Sequence, residues 1–150
     1  MDELGLIRAW LYAVLSGDAT LIAMIAEQPD EVGNPGVFSG KVKKGAIFPV
    51  IVFRWLGPLG DGDTYVNGNR RSWTRALYRV MINDQREDFE ALSPASKQID
   101  ALLSIDNAVA VSGGSIMDCV RTQPFEGSLI ESGQEFRQLG GDYAIKAQAL

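Results

Sequence analysis

The chain has 150 residues, 46% of them hydrophobic and 22% charged, with 14 basic and 19 acidic side chains and a net charge of −5. It contains no histidine and one cysteine, Cys119. Together these exclude histidine-based acid–base and nucleophile systems, imidazole metal sites, an intrachain disulfide and a multi-cysteine zinc site. A chain of this length buries roughly two-thirds of the surface it exposes when unfolded, so one α+β domain over residues 1–150 needs no covalent staple.

Met1-Asp2-Glu3 has the wrong charge for a signal peptide, and no apolar run approaches membrane-spanning length. The expectation is a soluble protein made in a reducing cytoplasm, without a membrane partner. Leu4, Ile7, Leu11, Val14 and Leu15 recur at helical spacing with Trp10 beside them. Asp2 and Glu3 suit the positive end of that helix, and Gly17 suits its C-terminal stop. Asp18 can cap a second, short helix whose apolar residues are Leu21, Ile22, Met24 and Ile25. Glu27 to Gly36, with Pro29, Gly33, Asn34 and Pro35, reads as a loop.

Residues 48–56 (FPVIVFRWL) are β-branched and aromatic and read as a buried strand, with Pro49 near its start. Gly57 to Ser72 is rich in Gly, Asp and Asn. It reads as a long loop or flexible hairpin, with Asn67-Gly68 a type I′ turn candidate. Residues 73–83 alternate Leu77, Arg79 and Met81 against Tyr78, Val80 and Ile82. Both faces carry apolar side chains, which points to a central strand. In the helical stretch Asp88 to Ser104, Ser93 can cap with Pro94 at the first position. Ala95, Ile99, Leu102 and Leu103 then share one face. Val109 and Val111 lead through Gly113-Gly114 to Ile116, Cys119 and Val120 as a hairpin. A last strand carries Tyr143, Ile145 and Ala147, with Gly140-Gly141 before it as a turn or bulge. The fold class is α+β: a mainly antiparallel or mixed sheet packed by an N-terminal and a middle helix, with a long loop or hairpin arm between two central strands.

Few residue sets look chemical. Gly60-Asp61-Gly62-Asp63 resembles a calcium-ligating fragment but lacks the other ligands, so it reads as a solvated turn. No phosphate-binding glycine loop is present. Cys119 has apolar neighbours and reads as a small buried hydrophobe. Glu87/Asp88 and Glu126/Glu131 are carboxylate pairs with no sign of convergence. The sequence implies no enzyme, no cofactor and no metal.

The charge is unevenly spread. Residues 1–35 hold six acids and one base, residues 36–80 two acids and eight bases, and residues 81–150 eleven acids and five bases. The basic middle contains Lys41, Lys43, Lys44, Arg54, Arg70, Arg71, Arg75 and Arg79, interleaved with Trp55, Tyr65 and Trp73. Arginine with aromatics is the composition of protein interface cores. The same mixture can bind single-stranded nucleic acid, although the acidic total opposes that. A solvated loop with ordinary surface charge is the third reading. Acidic ends can meet the basic middle of a neighbouring copy, head to tail, closing a ring or running on as a filament. Arg54, Trp55, Tyr65, Arg70, Arg71, Trp73 and Arg75 are the candidate interface residues.

In order and spacing, the segments LIRAWLYAVLSGDATLIAMI, FPVIVFRW, LYRVMIND, ASKQIDALLS and LGGDYAI resemble the tail terminator (tail-completion, head–tail joining) proteins of long-tailed bacteriophages. The resemblance covers most of the chain, and Pro49 to Phe53, Ile99 to Leu103 and Gly140 to Tyr143 carry it best. It implies a homohexameric ring, non-enzymatic, on the last ring of the tail tube at the head-proximal end of the virion. Its partners would be the tail tube protein and the head–tail connector or neck protein, with DNA passing through the ring without sequence-specific binding. Two other readings stand beside it: a head-completion or neck protein of the same virion, and a small soluble ligand-binding or enzymatic α+β domain.

Overall fold

The computed structural model describes residues 2–29, 33–64, 70–85, 89–131 and 133–149; for 60–64, 70–72 and 131 it describes the backbone alone. Helices α1 (Glu3–Gly17) and α2 (Ala19–Ile22) come first, then β1 (Val37–Ser39), β2 (Val50–Thr64) and β3 (Arg70–Asp84). A 3-10 turn (Phe89–Leu92) leads into α3 (Ser93–Leu103), followed by β4 (Val109–Val111), β5 (Gly114–Glu131) and β6 (Gln134–Ala149). The strands form one six-stranded sheet in the order β1-β2-β3-β6-β5-β4. All neighbours run antiparallel except β1 and β2.

The helix starts follow their capping residues. The Asp2 carboxylate accepts from Gly5 N at 2.6 Å, and Asp18 accepts from Leu21 N at 2.9 Å. Each satisfies a backbone donor that the first helical turn leaves without a partner. The apolar stripe of α1 (Ile7, Leu11, Leu15) and that of α3 (Ala95, Ile99, Leu103) pack onto Phe53, Tyr78, Val80, Ile82, Tyr143 and Ile145. Both helices therefore cover the same face of the sheet, and β3 is central with β2 and β6 beside it. Tyr143 is buried there, and its hydroxyl donates to Asp100 Oδ1 of α3 at 3.1 Å. Burial and the Asp100 carboxylate both push that phenol far above its ordinary pKa.

A smaller cluster lies on the opposite face, where Phe38, Val50, Val52 and Met81 pack under Val42, Ala46 and Phe48. Buried Gln28 pins the covering segment. Its Nε2 donates to Ala26 O and Ile47 O at 2.8 and 2.9 Å, and its Oε1 accepts from Ile47 N at 3.0 Å.

Three sequence expectations change. Gly57 to Ser72 is not mostly loop: β2 runs to Thr64 and β3 starts at Arg70, so the hairpin alternative holds, and Gly60 to Asp63 pair with β3 instead of forming a turn. Asn67-Gly68 lies outside the described residues. Ser93 is the first helical residue, with Leu92 at the cap position and no side-chain cap bond, because the preceding 3-10 turn already leads the backbone into the helix. Gly140-Gly141 is neither turn nor bulge but the middle of β6, and the nearest irregularity is on β5, between Arg121 and Gln123. Glycine is needed there for close approach. A Cβ on Gly140 would sit 2.0 Å from the Val80 carbonyl oxygen, and one on Gly141 would sit 2.6 Å from Arg121 Cδ.

Candidate functional site

Strand alternation sets what the open face presents. With Tyr78, Val80 and Ile82 under the helices, Trp73, Arg75, Leu77 and Arg79 point the other way. The same rule turns Arg54 of β2, Asp142 and Lys146 of β6, and Asp118 and Gln123 of β5 to that side. Register then aligns them in rows: Arg54, Arg79, Asp142 and Gln123 form one, and Arg75, Lys146 and Asp118 another.

The first row holds a buried charge. Asp142 is 1% exposed and Arg79 is 19% exposed. Arg79 Nε and Nη2 donate to the two Asp142 oxygens at 2.8 and 3.2 Å, and Gln123 Nε2 donates to Oδ2 at 2.6 Å. Burial alone pushes this carboxyl up. The bonds from Arg79 and Gln123, with the charges of Arg79 and Arg54, outweigh it and hold the group below its ordinary range. The Arg79 guanidinium also lies 3.8 Å from the Phe125 ring centre. Arg54 faces Arg79 directly, and such like-charge cross-strand pairs are unfavourable unless an anion sits beside them. Asp142 is that anion.

The second row is half-buried. Lys146 Nζ lies 4.4 Å over the Trp73 ring, and Arg75 Cζ lies 5.9 Å from it. Arg75 Nε is buried and has no acceptor among the described residues. Along these strands the open face carries Arg54, Arg75, Arg79 and Lys146 against Asp118 and Asp142. The geometry suits recognition of an anionic, partly apolar surface.

The fold gathers some of the sequence candidates and separates others. Arg54, Trp73 and Arg75 share the open face. Trp55, 52% exposed, registers opposite Tyr78 and lies on the helix side, where it lines a cleft of about 250 Å³ with Asp2, Leu4 and Pro58. Arg70 and Arg71 lie at the start of β3 with backbone alone described, and Tyr65 lies outside the described residues, as do Glu87 and Asp88. Glu126 is exposed. Cys119 is 1% exposed in the helix-side core, where burial first, and then Asp118 and Asp100, push its thiol far above the ordinary range. Sequence reading missed Asp142, Lys146 and Gln123; only the register that brings β6 beside β3 joins them to the basic segment. Among the described residues no group of three carboxylate or cysteine side chains could hold a metal ion, and no helix is long and apolar enough to cross a membrane.

The fold class is thus α+β, with a curled six-stranded mixed sheet helix-covered on one side. Among solved structures, a chain of the "Virion of native gene transfer agent (GTA) particle" shares it. The TM-score is 0.59 at 16% sequence identity, over 93% of this chain and 90% of that one. No protein-family model matches the chain, and neither does any curated protein.

Proposed function

We propose that this chain is a structural virion protein of a phage-like particle. More narrowly, it is a tail terminator that caps the tail tube as a ring and offers the head connector its attachment surface. The observation that carries the virion reading is the shared fold with a virion chain over nearly the whole of both molecules. The narrower reading draws on the order of segments in the sequence and on two features of the sheet. Beyond Phe53 the outer edge of β2 has no strand partner among the described residues. Beyond Cys119 the same is true of the outer edge of β5. Unpaired edges of that length invite another chain. Two different free edges on one molecule give a head-to-tail contact, which closes as a ring when the rotation allows. The cationic open face then serves contact between copies or with the tube.

The test is electron microscopy of the purified chain with its tail tube protein. Six-fold rings at tube ends and shortened tubes are expected. Charge reversal of Arg70 and Arg71 together should weaken binding and make the remainder less salt-sensitive. Unchanged assembly of that double variant removes the basic segment from the interface. Binding to the connector without the tube makes the chain a neck protein.

A further inference from the structure

The covering segment on the open side forms one wall of a groove of about 580 Å³, within the roughly 300–1,000 Å³ range of ligand-binding clefts. Its floor is apolar: the Phe48 and Phe136 ring centres lie 4.7 Å apart, joined by Leu129 of the arm that β5 and β6 form together over residues 121–139. Lys41 and Lys44 are exposed on its rim. Asn83 lines it, is 5% exposed, and its buried Oδ1 accepts no hydrogen bond among the described residues. Gln28 holds one wall, and a 2.5 Å bond from Gln85 Nε2 to Gln134 Oε1 ties the arm to the end of β3. The groove is therefore built, cationic at its lip, greasy at its base and short of a hydrogen-bond donor.

The other side of the same arm has the opposite character. Leu129 faces the groove, so Ile130 points away from it, and Ile130 is 73% exposed, the most exposed of the large apolar side chains described. Glu135 is its cross-strand partner, and Glu126 shares its face. Arg137, also on that face, bonds Glu135 and Ser128. An apolar knob between carboxylates thus stands behind a lysine-rimmed apolar groove.

We infer that the groove takes the Ile130 knob of a second copy of this chain. The apolar knob suits the apolar floor and Glu126 and Glu135 suit the lysine rim, although the knob leaves Asn83 Oδ1 without a donor and Arg137 already bonds Glu135; both halves are present in every copy. They lie on opposite faces of one arm, so a copy cannot satisfy its own groove. Association is therefore heterologous, each copy giving a knob to one neighbour and a groove to the other. Nucleic acid fits less well, because Phe136 is 8% exposed and packs against Phe48 instead of offering a ring to a base. The inference rests on the ring reading and specifies one contact within it.

The experiment uses the full chain and two variants that break different halves: Ile130→Arg, with its groove intact, and Lys41→Glu/Lys44→Glu, with its knob intact. Light scattering and sedimentation read mass, and circular dichroism confirms an unchanged melting temperature. Each variant alone should self-associate at least tenfold more weakly than wild type. Mixed, they retain one good groove and one good knob, so they should form a one-to-one dimer and grow no further. Variants that assemble on tail tubes as wild type does overturn this contact and leave the ring reading standing. Self-association by Ile130→Arg alone, at wild-type strength, also overturns it. A wild type that stays monomeric both alone and with tube protein overturns the contact and the ring together.

Discussion

On the helix side of the sheet, Tyr78, Val80, Ile82, Tyr143 and Ile145 are buried beneath α1 and α3. On the other side the same two strands carry Arg75, Arg79, Asp142 and Lys146, covered only where the segment before β2 folds over Val50, Val52 and Met81. One backbone thus presents a finished core on one face and, on the other, a surface whose charges are partly paired and partly waiting. The difference follows from the period of two. Each strand commits alternate residues to folding and leaves the rest free for contacts. Changes on the helix side should act on stability, and changes on the open side on association.

The largest stability effect should come from the helix side. Leu11→Ala removes a fully buried side chain that touches the sheet, and such truncations cost about 2–5 kcal/mol. Urea unfolding should show a lower midpoint with little change in slope. Val120→Ala, at a 55% exposed position on the open side, should stay within about 0.5 kcal/mol. Equal losses at the two positions would break the division between the faces.

Asp142 is the exception that sharpens the division, being open-side and buried at once. Asp142→Ala should cost about 3 kcal/mol, the lower end for removing one partner of a buried ion pair, because Arg79 keeps some solvent access. Its pH dependence has a definite sign. The folded carboxyl is held below its ordinary range, so near that range the unfolded chain binds more protons. The stabilisation is present above the ordinary carboxylate pKa and is lost as pH falls through the folded value. Asp142→Asn should therefore flatten the acid limb of stability against pH. A limb as steep as in wild type would assign acid sensitivity to other carboxylates.

Much of this division was legible in the sequence, and what was not has identifiable causes. The caps at Asp2 and Asp18, the apolar stripes of α1 and α3, and the two-sided strand at 73–83 are local signals that the packing reinforces. The arm was missed because residues 121–139 contain Pro124, Gly127, Ser128 and Gly133 and few apolar residues. They form strands chiefly because two long partners bond to each other, and only Phe125, Phe136 and Leu139 of those described pack on a core, too few to show alternation. Gly140-Gly141 looked like a turn because glycine carries the same signature wherever a backbone must come close, and here the backbone is that of β3. Of the interface candidates, Arg54, Trp73 and Arg75 share a face because their strands do. Trp55 falls on the other face because it is one residue from Arg54. Asp142 and Lys146, remote in sequence, reach the site through register alone.

Cys119 probes the helix side with a smaller effect. It is buried and bridged to Ile105 through two backbone bonds of 3.1 and 3.2 Å. With its thiol held far above the ordinary range, the reactive thiolate is scarce in the folded protein. A thiol reagent at neutral pH should label native protein only as fast as the core opens and urea-unfolded protein at once. Cys119→Ala should cost about 1 kcal/mol, near the centre of the range for point changes. Rapid native labelling would mean that the helices lift from the sheet without unfolding and that the helix side is no finished core.

The smallest effect on folding should accompany a clear effect on assembly. Arg75 and Lys146 flank Trp73 on the open side, and among the described residues neither is held by an ion pair. Reversing both to Glu should move stability by no more than about 1 kcal/mol, since both side chains are half-buried and the Arg75 Nε is shielded from solvent. The same change replaces two cations with two anions on the face proposed to meet acidic surfaces. Self-association or tube binding should weaken, and raising the salt should narrow the gap from wild type, because exposed charges are screened over about 10 Å at 0.1 M. If the double variant unfolds early, the aromatic–cation cluster is part of the fold's own packing. If it folds and assembles as wild type at low salt, this row is bystander surface, and the cationic contact narrows to the Arg54–Arg79 row and the lysine-rimmed groove.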